Sequence, residues 1–378
     1  MNLNLMVKEK PYKKLLVVSL ISVTLLLFPF YGGAQEHHNI EDAHGEVVDS
    51  LAGEVQSEGH QVSHEEEEFN AGEFIIEHIK DSHEWHLWTT SSGHHVSVPL
   101  PVILISKEKG FVFFMSNKLA HGHHHNGFFI ENGKVLEETS AHETVSPLDF
   151  SITKTVAAMM VSALFLLLLF IRMGRVYRKE KTVIPSGLNG FLEPMIIFIR
   201  DDIAIPNIGE EKHERFMPYL LTVFFFILIN NLMGLIPPII PFGANVTGNI
   251  AITLVLSVFT FVITQLSATK TYWKHIVATP GVPFWLAPVM IPVEIIGLFS
   301  KPFALMIRLF ANITAGHIIV LSLVSLIFIF KSLAIAPVSI AFVLFMDLIE
   351  ILVAFLQAYV FTLLSALFIG LAAKEHHH

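Results

Sequence analysis

Two rhythms of apolar and polar residues divide this chain. From residue 148 onward, long apolar runs are separated by short polar breaks. Ser151 to Arg172, Pro218 to Ile236 and Thr247 to Leu266 each approach the roughly 20 residues that a membrane-crossing helix needs. Two further runs, about Leu286 to Phe330 and Val338 to Ala372, exceed that length and are joined by Lys331 to Pro337. They predict a long helical hairpin, strongly tilted or partly in the membrane plane. Phe191, Met195, Ile196 and Ile199 recur at helical spacing, which places Gly187 to Arg200 along the membrane surface. The fold class expected is an all-α polytopic membrane protein with about five mature membrane helices, its membrane domain spanning residues 148–376.

Ahead of residue 147 the pattern shortens. HLWTT, HVSVPLPVILIS, GFVFFMS and NGFFIENGKVL are runs of β-forming residues broken by Gly, Pro and Asn. They predict a small β-rich insert over 69–138. Residues 35–68 are acidic and rich in Gly, Ser and His, with too few large apolar residues for a core, so disorder is expected there. Residues 1–34 follow the order of a cleavable signal: Lys8, Lys10, Lys13 and Lys14, then Leu15 to Phe30, then YGGAQ. Cleavage is expected after Ala34. An uncleaved first membrane helix is the competing reading, but the run is short for one.

Charge orients the spans. Arg172, Arg175, Arg178, Lys179 and Lys181 follow the first run, and Lys270 and Lys274 follow the third. The loop PPIIPFGANV carries no Lys or Arg. The positive-inside rule then puts residues 35–147 outside the cytoplasm and the C-terminus within it. Composition agrees: of 378 residues 53% are hydrophobic and 15% charged, too apolar for a soluble domain. Mean hydropathy is +0.60. The net charge of -9 comes from acid concentrated before residue 147, and no nucleic-acid partner is expected. The absence of cysteine excludes disulfides and thiolate metal sites. No GxxxxGK[ST] loop is present to hold a nucleotide. Fifteen of the 21 histidines precede residue 147, among them His121 and His123 to His125. Imidazoles suit zinc, copper or nickel. The spacing matches no defined zinc motif, however, and a solvated face that buffers near neutral pH is the preferred reading. No metal or cofactor is expected.

The chemistry lies in Ile291 to Phe330. Its apolar sequence carries Arg308 near the middle. A guanidinium cannot shed its proton, and placing it at bilayer depth costs about 3 kcal/mol or more. Snorkelling to the lipid surface or a structural ion pair is the bland alternative. Glu294, Lys301 and Arg308 are spaced by seven, along one side of a helix, with Asn312 one turn beyond. Ala311, Ala315 and Gly316 leave room for a close neighbour. Pro302 is expected to bend the helix just before Arg308. In the last run Asp347, Glu350 and Gln357 are polar, Glu350 and Gln357 on one face. Carboxylates at such depth are paired or belong to an ion path. Asn230, Asn231, Asn245 and Asn249 place amides at one end of the second and third runs, where capping and interhelical bonding would also explain them.

SKPFALMIRLFANITAGH resembles the signature of subunit a of the F-type ATP synthase, the stator beside the rotating c-ring, and LQAYVFTLLSALFIGLAAKEH resembles that family's last helix. The resemblance covers about residues 147–376, and weakly Phe69 to Trp88. It implies a proton-translocating subunit of the Fo sector with two aqueous half-channels. Arg308 would face the ring carboxylate, with Gln357 opposite it and Asn312 on the same surface. His317 and Glu350 would lie on the proton path, the family's usual acid and histidine exchanged between them. Glu294 and Asn231 are further candidates on that path. At Gly234 many members carry a carboxylate. His317 is nine residues past Arg308, so only a bent helix or a path from another side brings both to one route. The resemblance also implies partners: the c-ring, peripheral-stalk subunit b, the rest of the F1Fo complex and the lipid bilayer, in a bacterial inner membrane. ATP chemistry would belong to those partners, so the chain is not an enzyme on its own. A stand-alone secondary transporter or ion channel with a charged pore is the main alternative, and it lacks the internal repeat many transporters show. A metal importer would need more than His317 within the spans.

Overall fold

The computed structural model describes residues 71–373 except 90–94, 121–122, 132, 140–141, 180–186, 237–242, 278–285, 331 and 333–334. The expected signal at 1–34 and the acidic stretch 35–68 lie outside the described residues.

A helix, α1 (Ala71–Ile79), is followed by the antiparallel pair β1 (Glu84–Thr89) and β2 (His95–Pro99). Next come β3 (Pro101–Ser106) and β4 (Gly110–Met115), with Val102 opposite Phe114 and Leu104 opposite Val112. Strand alternation sends these side chains inward, where Val102, Leu104 and Phe114 meet Leu119, Phe128 and Val135. Phe111 and Phe113 stay exposed on the opposite face. Gly110 closes the hairpin at φ 68°, a left-handed conformation that suits glycine. A third sheet holds β5 (Phe128–Glu131), β6 (Lys134–Glu138) and β7 (Thr144–Val145), and β8 (Leu148–Asp149) lies on the free edge of β3.

From β8 the chain enters α2 (Lys154–Lys179), and the junction is clamped. Asp81 Oδ1 accepts from the Thr155 amide at 3.0 Å, and the Lys154 amide donates to Ser82 O at 2.8 Å. These bonds satisfy amides that the first helical turn leaves open. His83 Nε2 lies 3.0 Å from Asp149 Oδ2. Trp85 is buried in one cluster with Val156 and Met159 of α2, so the β-rich unit and the helical part share a core.

The helical part continues with α3 (Leu188–Phe198), a π-helical turn over Ile199–Ala204, and α4 (Ile205–Ile208). Leu192, Ile196 and Ile199 are buried while Phe191 is exposed, an amphipathic division. Next are α5 (His213–Leu235), α6 (Ile250–Leu266), α7 (Lys270–Val277), α8 (Ala287–Ile329) and α9 (Ala336–Ala373). Among the described residues four helices are long and apolar enough to cross a membrane, namely α2, α5, α8 and α9, and α6 is a shorter apolar helix. At a rise of about 1.5 Å per residue α8 measures about 65 Å, roughly twice the hydrocarbon thickness. Its 43 residues form one continuous helix that includes Pro292 and Pro302. The last two runs of the sequence thus fold as a helical pair, and α1 packs against α8.

α5 is the central helix, with Phe224, Phe225, Phe226 and Ile227 fully enclosed. Lipid is as apolar as phenylalanine, so burial alone does not hold such a helix in place; close packing does. α9 supplies it. Ala354, Ala358, Thr362, Ala366 and Gly370 recur every fourth residue and are all buried. That small-residue stripe lets backbones meet: a Cβ on Gly370 would overlap Asn207 O at the end of α4. The far end of α9 is tied by Lys212 Nζ and the Thr269 amide, which donate to Ala373 O and Ala372 O at 2.8 and 3.0 Å.

Gly370→Ala should therefore cost about 1–3 kcal/mol through overpacking against a backbone carbonyl. Gly297→Ala, in open space on α8, should be neutral or gain up to about 1 kcal/mol. Thermal unfolding in detergent checks both, and an equal effect at the two sites contradicts the packing described.

Candidate functional site

α8 presents two different faces. Leu305, Leu309 and Ile313 are buried against the other helices. The opposite face exposes Ala304, Arg308, Ala311, Asn312 and Ala315, and Lys301 one turn earlier. The spacing of seven read from the sequence is therefore a stripe on an uncovered helix surface. Arg308 forms no ion pair and no hydrogen bond with any described residue. Its small neighbours leave the guanidinium accessible from the side. Glu294 is half-buried on α8 and bears electrostatically on Tyr272 of α7.

The interior of the α8–α9 pair holds the second group. Glu350 is 8% exposed, and its Oε1 is buried with no hydrogen-bond partner among the described residues. It lies against Gly316, where a Cβ would overlap the carboxylate. His317, the next residue, points its Nε2 at Gly234 of α5, 3.5 Å from where a Cβ would sit. A side chain at position 234 would start in direct packing contact with this imidazole. His317 and Glu350 flank Gly316 but no hydrogen bond joins them. Lys154, at the head of α2, bears electrostatically on His317, and Asp81 on Lys154.

Asn231 ties three elements together. Its Oδ1 accepts from Thr247 Oγ1 at 2.5 Å, and its Nδ2 donates to Ala354 O of α9 at 3.4 Å. Asn249 caps α6 by accepting from the Ala251 amide at 2.9 Å. Asn245 Oδ1 accepts from the Gly248 amide, and its Nδ2 is buried with no partner among the described residues. Gln357 is buried on the face of α9 that also carries Ala354 and Phe361. Arg308 lies on the exposed face of α8, so the two are not hydrogen bonded. Asn312 shares the Arg308 surface.

Sequence reading missed a cluster of hydroxyls toward the other end of the helices. Tyr219 and Thr260 hydroxyls lie 2.6 Å apart, and Thr260 and Ser365 hydroxyls 3.3 Å apart, all buried. Thr253, Ser257, Thr260 and Thr264 recur at helical spacing on the buried side of α6. That spacing was the available signal.

A cation held open on an apolar helix, with a buried acid and a half-buried imidazole in the same helical pair, marks an ion-handling, multi-pass membrane protein. Comparison carries this further. The model described as "ATP synthase A chain" matches residues 156–370, and the chain belongs to that family. Its ATP synthase subunit a relatives include one from Chloroherpeton thalassium, 50% identical over 62% of this chain and 70% of its own length. One from Chlorobium phaeobacteroides strain BS1 is 53% identical over 61% and 68%. Another, from strain DSM 266 of that species, is 38% identical over 96% of this chain and 95% of its own length. A second model, described as a domain of unknown function (DUF8433), matches residues 74–150, the β-rich unit.

Gly316→Ala should be tolerated, costing under about 1 kcal/mol, because the atom in its way is the end of a flexible Glu350 side chain. A loss in thermal unfolding as large as that expected at Gly370 contradicts this placement.

Proposed function

We propose that this chain is the proton-translocating stator subunit of an Fo sector, working against a ring of carboxylate-bearing helices supplied by another protein. The observation that carries the reading is Arg308, a permanent cation exposed on an apolar helix face with no partner among the described residues. A surface of that kind suits a passing anion. The ring carboxylate crosses the lipid-facing arc in its neutral, protonated form. Beside Arg308 the ionised form is favoured, and the proton leaves. Arg308 also repels protons, so it separates two aqueous half-channels. The gradient contributes about 2.3 kcal/mol for each charge moved through about 100 mV.

His317 and Glu350 carry protons on the outer path, with Asn231 near its mouth and Lys154 beside it. Glu350 supplies the acid and His317 the imidazole of the pair, the reverse of the family's usual placement, and Gly234 supplies no carboxylate to the outer path. Asn312 lines the surface beside Arg308, and Gln357 stays within the helical interior. α6 is the fifth crossing, short but apolar. The Arg and Lys residues after α2 and α6 place those ends in the cytoplasm, with the β-rich unit on the other side. The c-ring, peripheral-stalk subunit b and the remaining F1Fo subunits are the partners, in a bacterial inner membrane, and nucleotide chemistry belongs to them.

Arg308→Ala should abolish ATP-driven proton pumping in inverted vesicles while the chain still inserts and co-purifies with the ring. Pumping at normal levels in that variant overturns the assignment. His317→Glu combined with Glu350→His should recover more pumping than either single change. Equal loss in all three shows that the two residues do not cooperate.

A further inference from the structure

The β-rich unit carries an apolar sheet face that the described residues leave exposed. On β4, Phe111 and Phe113 are 70% and 59% exposed. They stand opposite Ile105 and Ile103 of β3, and Leu148 of β8 pairs with Ile105 from the other side. The backbone keeps this register beyond β8. The Phe150 amide donates to Ile103 O at 2.8 Å, and the Ile152 amide to Pro101 O at 2.9 Å. Alternate strand residues share a face, so Leu148, Phe150 and Ile152 join the two phenylalanines on one side of the sheet. None of these positions carries a polar side chain. The opposite side, with Val102, Leu104 and Phe114, is the unit's own core. Contiguous exposed apolar surface of this kind marks a contact with a membrane or a protein.

We infer that this face rests on the bilayer surface at the Lys154 end of α2, its phenylalanines immersed among lipid headgroups and upper acyl chains. Position is the first argument. The segment that carries Leu148, Phe150 and Ile152 runs directly into α2 at Lys154, whose amide donates to Ser82 O at 2.8 Å. At about 3.3 Å per residue Leu148 lies about 13 Å along the strand from Ile152, so the face begins where the membrane-crossing helix begins. Ile152 packs against the helical core, and on α2 Leu164, Phe165 and Leu168 are more than half exposed, as lipid-facing residues are. α1 ties the same unit to α8, so it has two attachments and little slack with which to lift away. Chemistry is the second argument. Phe111, Phe113, Ile105 and Leu148 offer apolar area without a hydrogen-bonding group, which suits the boundary between headgroups and acyl chains. Lys107, exposed in the turn between Ile105 and Phe111, is placed to meet an anionic headgroup. Residues 35–68 of this chain are acidic and poor in large apolar side chains, so they do not match the face. Docked in this way, the unit braces the heads of α2 and α8 against the membrane, whether or not Arg308 works against a ring.

The chain contains no cysteine, so Phe113→Cys gives it a single thiol, on this face, for a nitroxide label. The assembled complex is reconstituted in vesicles of phosphatidylcholine and phosphatidylglycerol, and the unsubstituted complex sets the background spectrum. Collision of the label with oxygen, which concentrates in lipid, is compared with collision with a water-soluble nickel chelate. The ratio of the two should be several-fold higher at Phe113→Cys than at Glu131→Cys, which is exposed at the tip of the neighbouring sheet. Phe111→Cys serves as the second variant should Phe113→Cys fail to assemble. A ratio at position 113 equal to that at 131 means that the face stands in water, and overturns the docking. A label that is immobilised and shielded from both oxygen and chelate means that protein covers the face, whether another subunit or a second copy of this chain, and overturns it equally.

Discussion

A guanidinium at the middle of a 43-residue apolar helix sets the terms for the rest of the structure. Arg308 cannot be neutralised by losing a proton, and no described residue pairs with it. Isolated in hydrocarbon it would cost at least about 3 kcal/mol. Its surroundings are built to leave it uncovered: Ala304, Ala311 and Ala315 keep the adjacent surface low, and the bulky residues Leu305 and Leu309 turn inward. A structural ion pair, the bland alternative, would have placed a carboxylate of this chain within reach. Glu350, on the neighbouring helix, is instead buried against Gly316. The arrangement makes sense when a countercharge arrives from a neighbouring protein, as the proposed ring would supply.

The interior of the helical part keeps its polar groups in two separate sets. Glu350, His317, Asn231 and Thr247 gather toward one end, and Tyr219, Thr260, Thr264 and Ser365 toward the other. On α9 the buried face reads Glu350, Ala354, Gln357, Phe361, Ser365 in order. Phe361 stands between the two sets, with Leu305 and Leu309 of α8 also buried. On α6 the buried Thr253 and Ser257 lie between the two sets, and their hydroxyls donate to their own helix at Ile250 O and Leu254 O. Hydroxyls tied to backbone in this way do not form a chain of side-chain hydrogen bonds from one set to the other.

Much of this was legible in the sequence because apolar runs and charge placement are one-dimensional signals. The five runs from Ser151 to Ala372 correspond to α2, α5, α6, α8 and α9. Boundaries moved where hydropathy and backbone bonding disagree: α5 starts at His213, ahead of Pro218, since Glu214 and Arg215 are polar yet helical. The Arg308 stripe was legible because charged residues stand out in an apolar helix. The buried stripe of Ala354, Ala358, Thr362, Ala366 and Gly370 was not, since small residues barely change the hydropathy of a run. The hydroxyl cluster was hidden for a related reason. Most of these hydroxyls satisfy themselves on their own helix, as Thr264 does on Thr260 O at 2.7 Å and Ser365 on Phe361 O at 2.8 Å. Which of them also face one another is decided only by packing.

Gly234 illustrates what packing adds to a motif. From the sequence it stands out as a departure, a glycine where the family resemblance implies an acid. In the structure a Cβ at position 234 would meet His317 Nε2 at 3.5 Å, an ordinary packing distance, so the backbone of α5 lies directly against the imidazole. Gly316 is tighter: a Cβ there would overlap the Glu350 carboxylate, which would have to shift. Neither contact is visible in the motif, and both follow from which helices the packing brings together.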